Sequence, residues 1–171
     1  MMSRRIIMEI SMYLTQVLIT VYKLDTNLKD NTFLRVWLQS PELNGSNGLH
    51  IDNSKNKLIV ASFGSDLSKP GAGMKVVDLG NKTISSLGKE GMTTPVGGLD
   101  GIESDATETH YYVTDNPTGK VYTVNADGTG YRTMIDLRKQ GAADLEFIPG
   151  QSMIIIPIMA DNKLVAYRLM K

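Results

Sequence analysis

The strongest constraint in this sequence is that it repeats itself. Asn47-Gly48-Leu49-His50-Ile51-Asp52 is followed by the apolar run Leu58-Ile59-Val60-Ala61-Ser62 and then by Lys75-Val76-Val77-Asp78-Leu79. Asp100-Gly101-Ile102-Glu103-Ser104-Asp105 leads in the same order to Tyr111-Tyr112-Val113-Thr114-Asp115 and Val121-Tyr122-Thr123-Val124. Ala143-Asp144-Leu145-Glu146-Phe147 leads to Met153-Ile154-Ile155-Ile156-Pro157 and Val165-Ala166-Tyr167-Arg168-Leu169. Setting Leu49 on Ile102 and Leu145 gives steps of 53 and 43 residues, the spacing of four-stranded propeller blades. The segment Val21-Tyr22-Lys23-Leu24-Asp25 matches the third element of a unit, so half a blade precedes the three.

Turn chemistry supports that division. Asn53-Ser54-Lys55-Asn56, Asn116-Pro117-Thr118-Gly119, Ala126-Asp127-Gly128 and Pro149-Gly150 all fall between expected strands, where Asn, Asp, Gly and Pro make tight connections. No long helical period interrupts them. The expectation is therefore an all-β fold, a partial β-propeller of about three and a half four-stranded blades. Its divisions are residues 1–20 as unplaced N-terminal strand, 21–40 as half blade, 44–90 and 97–138 as full blades, and 142–171 as a blade lacking its outer strand. An all-β sandwich is the alternative, since its short strands recur at similar intervals.

An uncapped last blade leaves a strand edge with free backbone hydrogen-bonding groups, which is a route to association. The segment from Ile6 to Met12 could cap it only in a closed ring, and three and a half blades are fewer than the four to eight of known propellers. The chain thus reads as a truncated half or as one that pairs with itself, a homodimer through exposed edges.

Charge and composition exclude several functions. Eighteen basic residues balance eighteen acidic ones without a basic run, so neither nucleic acid nor an anionic membrane is the expected partner. Glu9 and Gln16 break the apolar N-terminal stretch, which argues against both a membrane span and a signal peptide. There is no cysteine, hence no thiol nucleophile or thiolate metal site, and the compartment stays open with the cytoplasm as default.

The first strand of each propeller blade lines the central channel, so residues at equivalent repeat positions meet near one axis. Those positions hold Asn47, Asp100 and, depending on a one-residue register, Ala143 or Asp144. An amide oxygen and one or two carboxylates are ligands for Ca²⁺ or Mg²⁺, with Zn²⁺ or Mn²⁺ also suited. The plainer reading is that Asn47 and Asp100 bond backbone in the turns entering each strand. Glu103 and Glu146 share a further repeat position and read as channel-lining or solvated. Elsewhere, Asn125-Ala126-Asp127-Gly128 lacks the later Glu of a calcium loop, and Gly71-Ala72-Gly73 and Gly88-Lys89 complete no nucleotide fingerprint. His50 and His110 accompany no serine elbow, and Trp37 and Met92 read as packing residues.

The segments SNGLHID, GGLDGIESD, YYVTDNPTGKVYTVNADG and GAADLEFIP followed by IIIPIMADNKLVAYRL resemble the C-terminal half of the senescence marker protein/gluconolactonase family of six-bladed propellers, from about Val21 to Leu169. In that family a divalent ion at the channel mouth is held by a Glu from an early blade, an Asn in an NGL motif and an Asp in a DG motif. The Asp is also the general base of lactone hydrolysis. The resemblance implies Asn47 as metal ligand, Asp100 as metal ligand and base, and a small lactone or sugar-acid ester as substrate. Two departures limit it: the family's Glu belongs to a blade not found here, and Asp144 replaces a small or hydroxyl residue. The alternative is a non-catalytic propeller of the NHL type that binds a ligand or protein.

Overall fold

The computed structural model describes residues 19–24, 34–88, 94–138 and 141–169. The expected strand around Ile6–Met12 and the packing role of Met92 lie outside the described residues. Among the described residues the chain forms four antiparallel sheets, each running strand to strand in sequence order. A hairpin of β1 (Thr20–Leu24) and β2 (Leu34–Gln39) comes first. The second sheet holds β3 (Ser46–Asp52), β4 (Lys57–Ser62), β5 (Met74–Asp78) and β6 (Ile84–Ser86). The third holds β7 (Leu99–Ser104), β8 (His110–Asp115), β9 (Lys120–Asn125) and β10 (Arg132–Asp136). The last has three strands, β11 (Glu146–Ile148), β12 (Met153–Ile158) and β13 (Lys163–Arg168). This is a partial β-propeller.

The strands of the two middle sheets are apolar on both faces because each of these sheets packs between two others. Side chains alternate along a strand, and in β4 the two sets part company. Leu58 and Val60 pack with Val77 against Val21, Trp37 and Leu38 of the hairpin. Ile59 and Ala61 turn the other way, with Met74 and Val76, onto Ile102, Tyr111, Val113 and Tyr122 of the next blade. Tyr112 and Val121 of that blade then meet Ile154, Ile156 and Ile158. Burying each such aliphatic side chain is worth about 1.5–3 kcal/mol, so the blade-to-blade contacts are the core.

Two buried polar contacts tie blades together. At the end of β3 the fully buried Asp52 accepts a hydrogen bond from the Tyr111 hydroxyl of β8, and Ser54 Oγ (2.7 Å) and Lys55 Nζ (2.6 Å) also donate to it. In β8 the buried Thr114 hydroxyl accepts from the Gly101 N–H at 2.7 Å and donates to the Ala143 carbonyl at 2.6 Å. The latter pairing ties the second strand of one blade to the entry to the next.

Candidate functional site

The inner strands β3, β7 and β11 pack in succession about the axis. Their approach is close enough to settle the register that the repeat left open. A Cβ on Gly48 would collide with the Asp100 carbonyl oxygen and Gly101 Cα. One on Gly101 would lie 2.6 Å from both Asp144 Cα and Asp144 Oδ1. Gly48, Gly101 and Asp144 are therefore equivalent, which places Ala143 rather than Asp144 at the level of Asn47 and Asp100. The missing side chain of Gly101 makes the room in which the Asp144 carboxylate stands. A β-bulge lies at this point in both β3 and β7, between Ser46 and Leu49 and between Leu99 and Ile102; such bulges re-aim side chains.

Asp100 is half-buried, and its Oδ2 accepts a hydrogen bond from Asn116 Nδ2 at 2.9 Å. That partner comes from the β8–β9 turn rather than from the local backbone, so Asp100 is not held as an ordinary turn aspartate. Burial pushes the Asp100 carboxyl up, the Asn116 bond opposes this, and the Asp144 charge adds to the rise. Asn47 is half-buried on β3. Asn116 Nδ2 also lies 3.8 Å from Met159 Sδ, which brings the exposed β12–β13 turn to the edge of the site.

One level along, His50, Glu103 and Glu146 hold the same repeat position. His50 Nδ1 and Glu103 Oε2 are 3.1 Å apart across the blade boundary, and His50 Nε2 is buried without a hydrogen-bond partner among the described residues. The charge of Glu103 couples these residues to the carboxylates around them. Asp144 is pushed up by burial, against the Leu145 N–H that donates to it at 2.9 Å, and further by Glu103. Glu146 is pushed up by burial, then by Glu103 and Asp144. Both residues are exposed, so water screens the push.

The sequence reasoning named Asn47, Asp100, Asp144, Glu103 and Glu146, and the structure couples the four carboxylates electrostatically. On sequence, His50 is set aside for want of a serine elbow, and Asn116 reads as a turn residue. His50 shares its repeat position with Glu103 and Glu146, a signal the spacing carries. For Asn116 there is none, because its turn reads as a hairpin whatever its side chain reaches.

A Ca²⁺ or Mg²⁺ ion takes six or more oxygen ligands and Zn²⁺ four ligands. Among the described residues no three of His, Cys, Asp and Glu are grouped closely enough to hold a metal ion. Asn47, Asp100 and Asp144 do not by themselves complete such a centre, and no chemical step is assigned to a metal here.

No family model matches the sequence, and no curated protein matches it. Among solved structures the chain is similar to one from a nidogen/laminin complex, with a TM-score of 0.69 and 15% identity over 90% of this chain and 55% of that one. It is also similar to a gluconolactonase from Xanthomonas campestris, with a TM-score of 0.57 and 16% identity over 80% of this chain and 40% of that one. The chain thus spans about half the length of these propellers. At such identities the likeness is one of fold.

Proposed function

We propose that the axial carboxylate cluster binds a small, neutral, polyhydroxylated ligand of the lactone class, with Asp100 as the acceptor for its hydroxyl or for a proton. The observation that carries this is the setting of Asp100: half-buried on an inner strand, fixed through one oxygen by Asn116 at 2.9 Å, with Asp144 alongside. A carboxylate whose proton affinity is raised by its surroundings is better suited to accept a proton near neutral pH.

The sign of the charge selects among ligands. The charge of Asp144 raises the proton affinity of Asp100, that of Glu103 raises Asp144, and both raise Glu146, so a second anion entering the cluster is repelled while a neutral lactone is not. If a lactone is opened, water adds to its carbonyl carbon as Asp100 takes the proton, Asp100 returns that proton to the ring oxygen as the ring C–O bond breaks, and the new carboxylic acid loses its own proton to solvent, leaving an anionic hydroxy acid that the same cluster expels. In the gluconolactonases that the sequence resembles, polarisation of the carbonyl falls to a divalent ion.

Calorimetric titration with gluconolactone and with gluconate tests the reading. Binding of the lactone at least about tenfold tighter than the acid, a difference of roughly 1.4 kcal/mol, and its loss in Asp100→Asn are expected. Equal affinities would refute the electrostatic selection, and no binding by folded protein would remove the site. Parallel titrations with Ca²⁺, Mg²⁺, Mn²⁺ and Zn²⁺ read whether a cation joins the carboxylates.

A second reading is a protein-binding propeller. Leu67, Val96 and Met159 are exposed on connections at the Asp100 end of the strands, and apolar residues gathered at a mouth suit a partner surface. The nidogen/laminin likeness comes from a protein complex. Loss of partner binding in Met159→Lys with lactone binding retained would favour this reading.

A further inference from the structure

The chain contains two Asn-Gly pairs, Asn44-Gly45 and Asn47-Gly48. An asparagine before glycine can lose its amide to the next backbone nitrogen, because glycine has no Cβ to block the approach. Both asparagines are half-buried, so local geometry decides between them. Asn44 closes the short turn Pro41–Leu43 with φ 50° and ψ 56°. That ψ sets the Gly45 nitrogen on the opposite side of the Cα–C bond from the Asn44 side chain, out of its reach. Backbone hydrogen bonds hold it so: the Asn44 N–H donates to the Pro41 carbonyl at 3.0 Å, and the Asn44 carbonyl accepts from the Gly64 N–H at 3.1 Å. Asn47 stands in the bulge of β3, where it and Gly48 together oppose the single residue Ala61. A bulge bends the strand away from the extended geometry that would hold amide and nitrogen apart. Among the described residues no hydrogen bond restrains the Asn47 side chain.

The next blade carries the same bulge with a lock on it. Asp100 and Gly101 oppose Thr114, whose hydroxyl accepts from the Gly101 N–H at 2.7 Å and donates onward to the Ala143 carbonyl at 2.6 Å. In the first full blade the place of Thr114 is taken by Ala61, which has no hydroxyl to offer Gly48. We propose that Asn47-Gly48 is a modification site, at which the chain converts its own axial amide into a carboxylate. The Gly48 nitrogen attacks Asn47 Cγ, the Cγ–Nδ2 bond breaks, and ammonia leaves with the Gly48 proton. Water then opens the cyclic imide at either carbonyl, leaving aspartate or isoaspartate and returning a proton to the Gly48 nitrogen. The sum consumes a water and releases an ammonia. The new charge arises at the level of Asp100 on the neighbouring inner strand, where it adds to the repulsion of anions. That consequence rests on the lactone reading; the conversion itself does not.

Incubation of the purified chain for days in warm, mildly alkaline buffer, followed by peptide mass spectrometry, reads the conversion without any ligand present. A parallel incubation in urea gives the rate that each Asn-Gly pair has without structure. Relative to those rates, Asn47 in the folded chain should convert on the order of tenfold or more faster than Asn44, because orientation alone then decides how often the two groups meet. Ala61→Thr supplies the missing hydroxyl. With its fold verified by circular dichroism, this variant should convert Asn47 about tenfold more slowly than the native chain, with the rate in urea unchanged. Asn47→Gln should abolish the conversion at this position and leave that of Asn44 as it was. Equal protection of Asn44 and Asn47 in the folded native chain would overturn the proposal, as would faster loss at Asn44. A folded Ala61→Thr variant that converts Asn47 at the native rate would overturn the missing hydroxyl as the cause.

Discussion

Replacing Asp52 by Ala should cost the fold about 3–5 kcal/mol, the range for breaking a buried, hydrogen-bonded charge. The figure follows from what the carboxylate holds. It is fully buried and receives the Tyr111 hydroxyl from the next blade, Ser54 Oγ at 2.7 Å, the Lys55 N–H at 3.0 Å and Lys55 Nζ at 2.6 Å. Bonds to a charged acceptor are worth about 1.5–3 kcal/mol each. The Lys55 ion pair counts for less, because that side chain is 34% exposed and water screens it. Tyr111→Phe removes one donor and leaves the others, so its cost should be about 1–2 kcal/mol. Urea unfolding followed by circular dichroism would measure both. The pH dependence has a definite sign. Burial alone would raise the Asp52 pKa, but the bonds from Lys55, Tyr111 and Ser54 outweigh it and hold the carboxyl far below the usual range. A depressed folded pKa contributes stability above the unfolded value of about 3.9 and loses it as pH falls towards the folded one. The gap between native protein and Asp52→Ala should be flat from neutral pH down to about 5 and shrink below about 4. A gap under about 1 kcal/mol at neutral pH, or one that widens in acid, would refute the reasoning.

Two further outcomes follow from the same geometry. Thr114→Val keeps the shape but strands the Gly101 N–H and the Ala143 carbonyl that the hydroxyl bridges; a loss of about 2–4 kcal/mol in chemical denaturation is expected, and a neutral substitution would show that the bridge is dispensable. Glu103→Gln removes a charge that helps raise the Asp144 and Glu146 carboxyls, so both should titrate at lower pH by carbon-detected NMR. Because a raised folded pKa makes ionisation unfavourable to the fold as pH climbs above about 4, this variant should also lose less stability towards neutral pH. Unmoved Asp144 and Glu146 resonances would contradict the coupling.

The blades were legible because a repeat of strand, turn and strand leaves its mark locally. Alternation in Leu58-Ile59-Val60-Ala61 and Asn or Gly at the turns need no knowledge of distant residues. The three strands of the last sheet among the described residues were legible for the same reason, since the last unit shows three apolar runs. What escaped were contacts made by side chains across blades. Asn116 reaches Asp100 and Tyr111 reaches Asp52, and neither leaves a spacing in the sequence. The place of Asp144 escaped for another reason. It depends on Gly101 having no Cβ, a fact about how closely two strands approach.

Five carboxylates of this chain fall into two groups, and the division separates scaffold from site. Asp52 and Asp105 stand at the same repeat position at the far end of β3 and just beyond β7. Burial would raise both, yet hydrogen bonds hold both far below the ordinary range; for Asp105 the donors are the Thr109 N–H, then the His110, Thr109 and Thr107 side chains. Asp100, Asp144 and Glu146 lie at or near the near ends of the inner strands and are pushed the other way, by burial first and then by neighbouring charges, of Asp144 on Asp100, of Glu103 on Asp144, and of both on Glu146. A scaffold gains nothing from gathering like charges with few donors about them, and such arrangements concentrate at functional sites. Hydrogen-bond donors relieve the strain, and at the axis a ligand can bring them. A polyhydroxylated ligand against Asp100 and Asp144 would do there what Tyr111, Ser54 and Lys55 do for Asp52 in the interior, which is why the axial cluster, rather than the better-paired aspartates, is where binding is proposed.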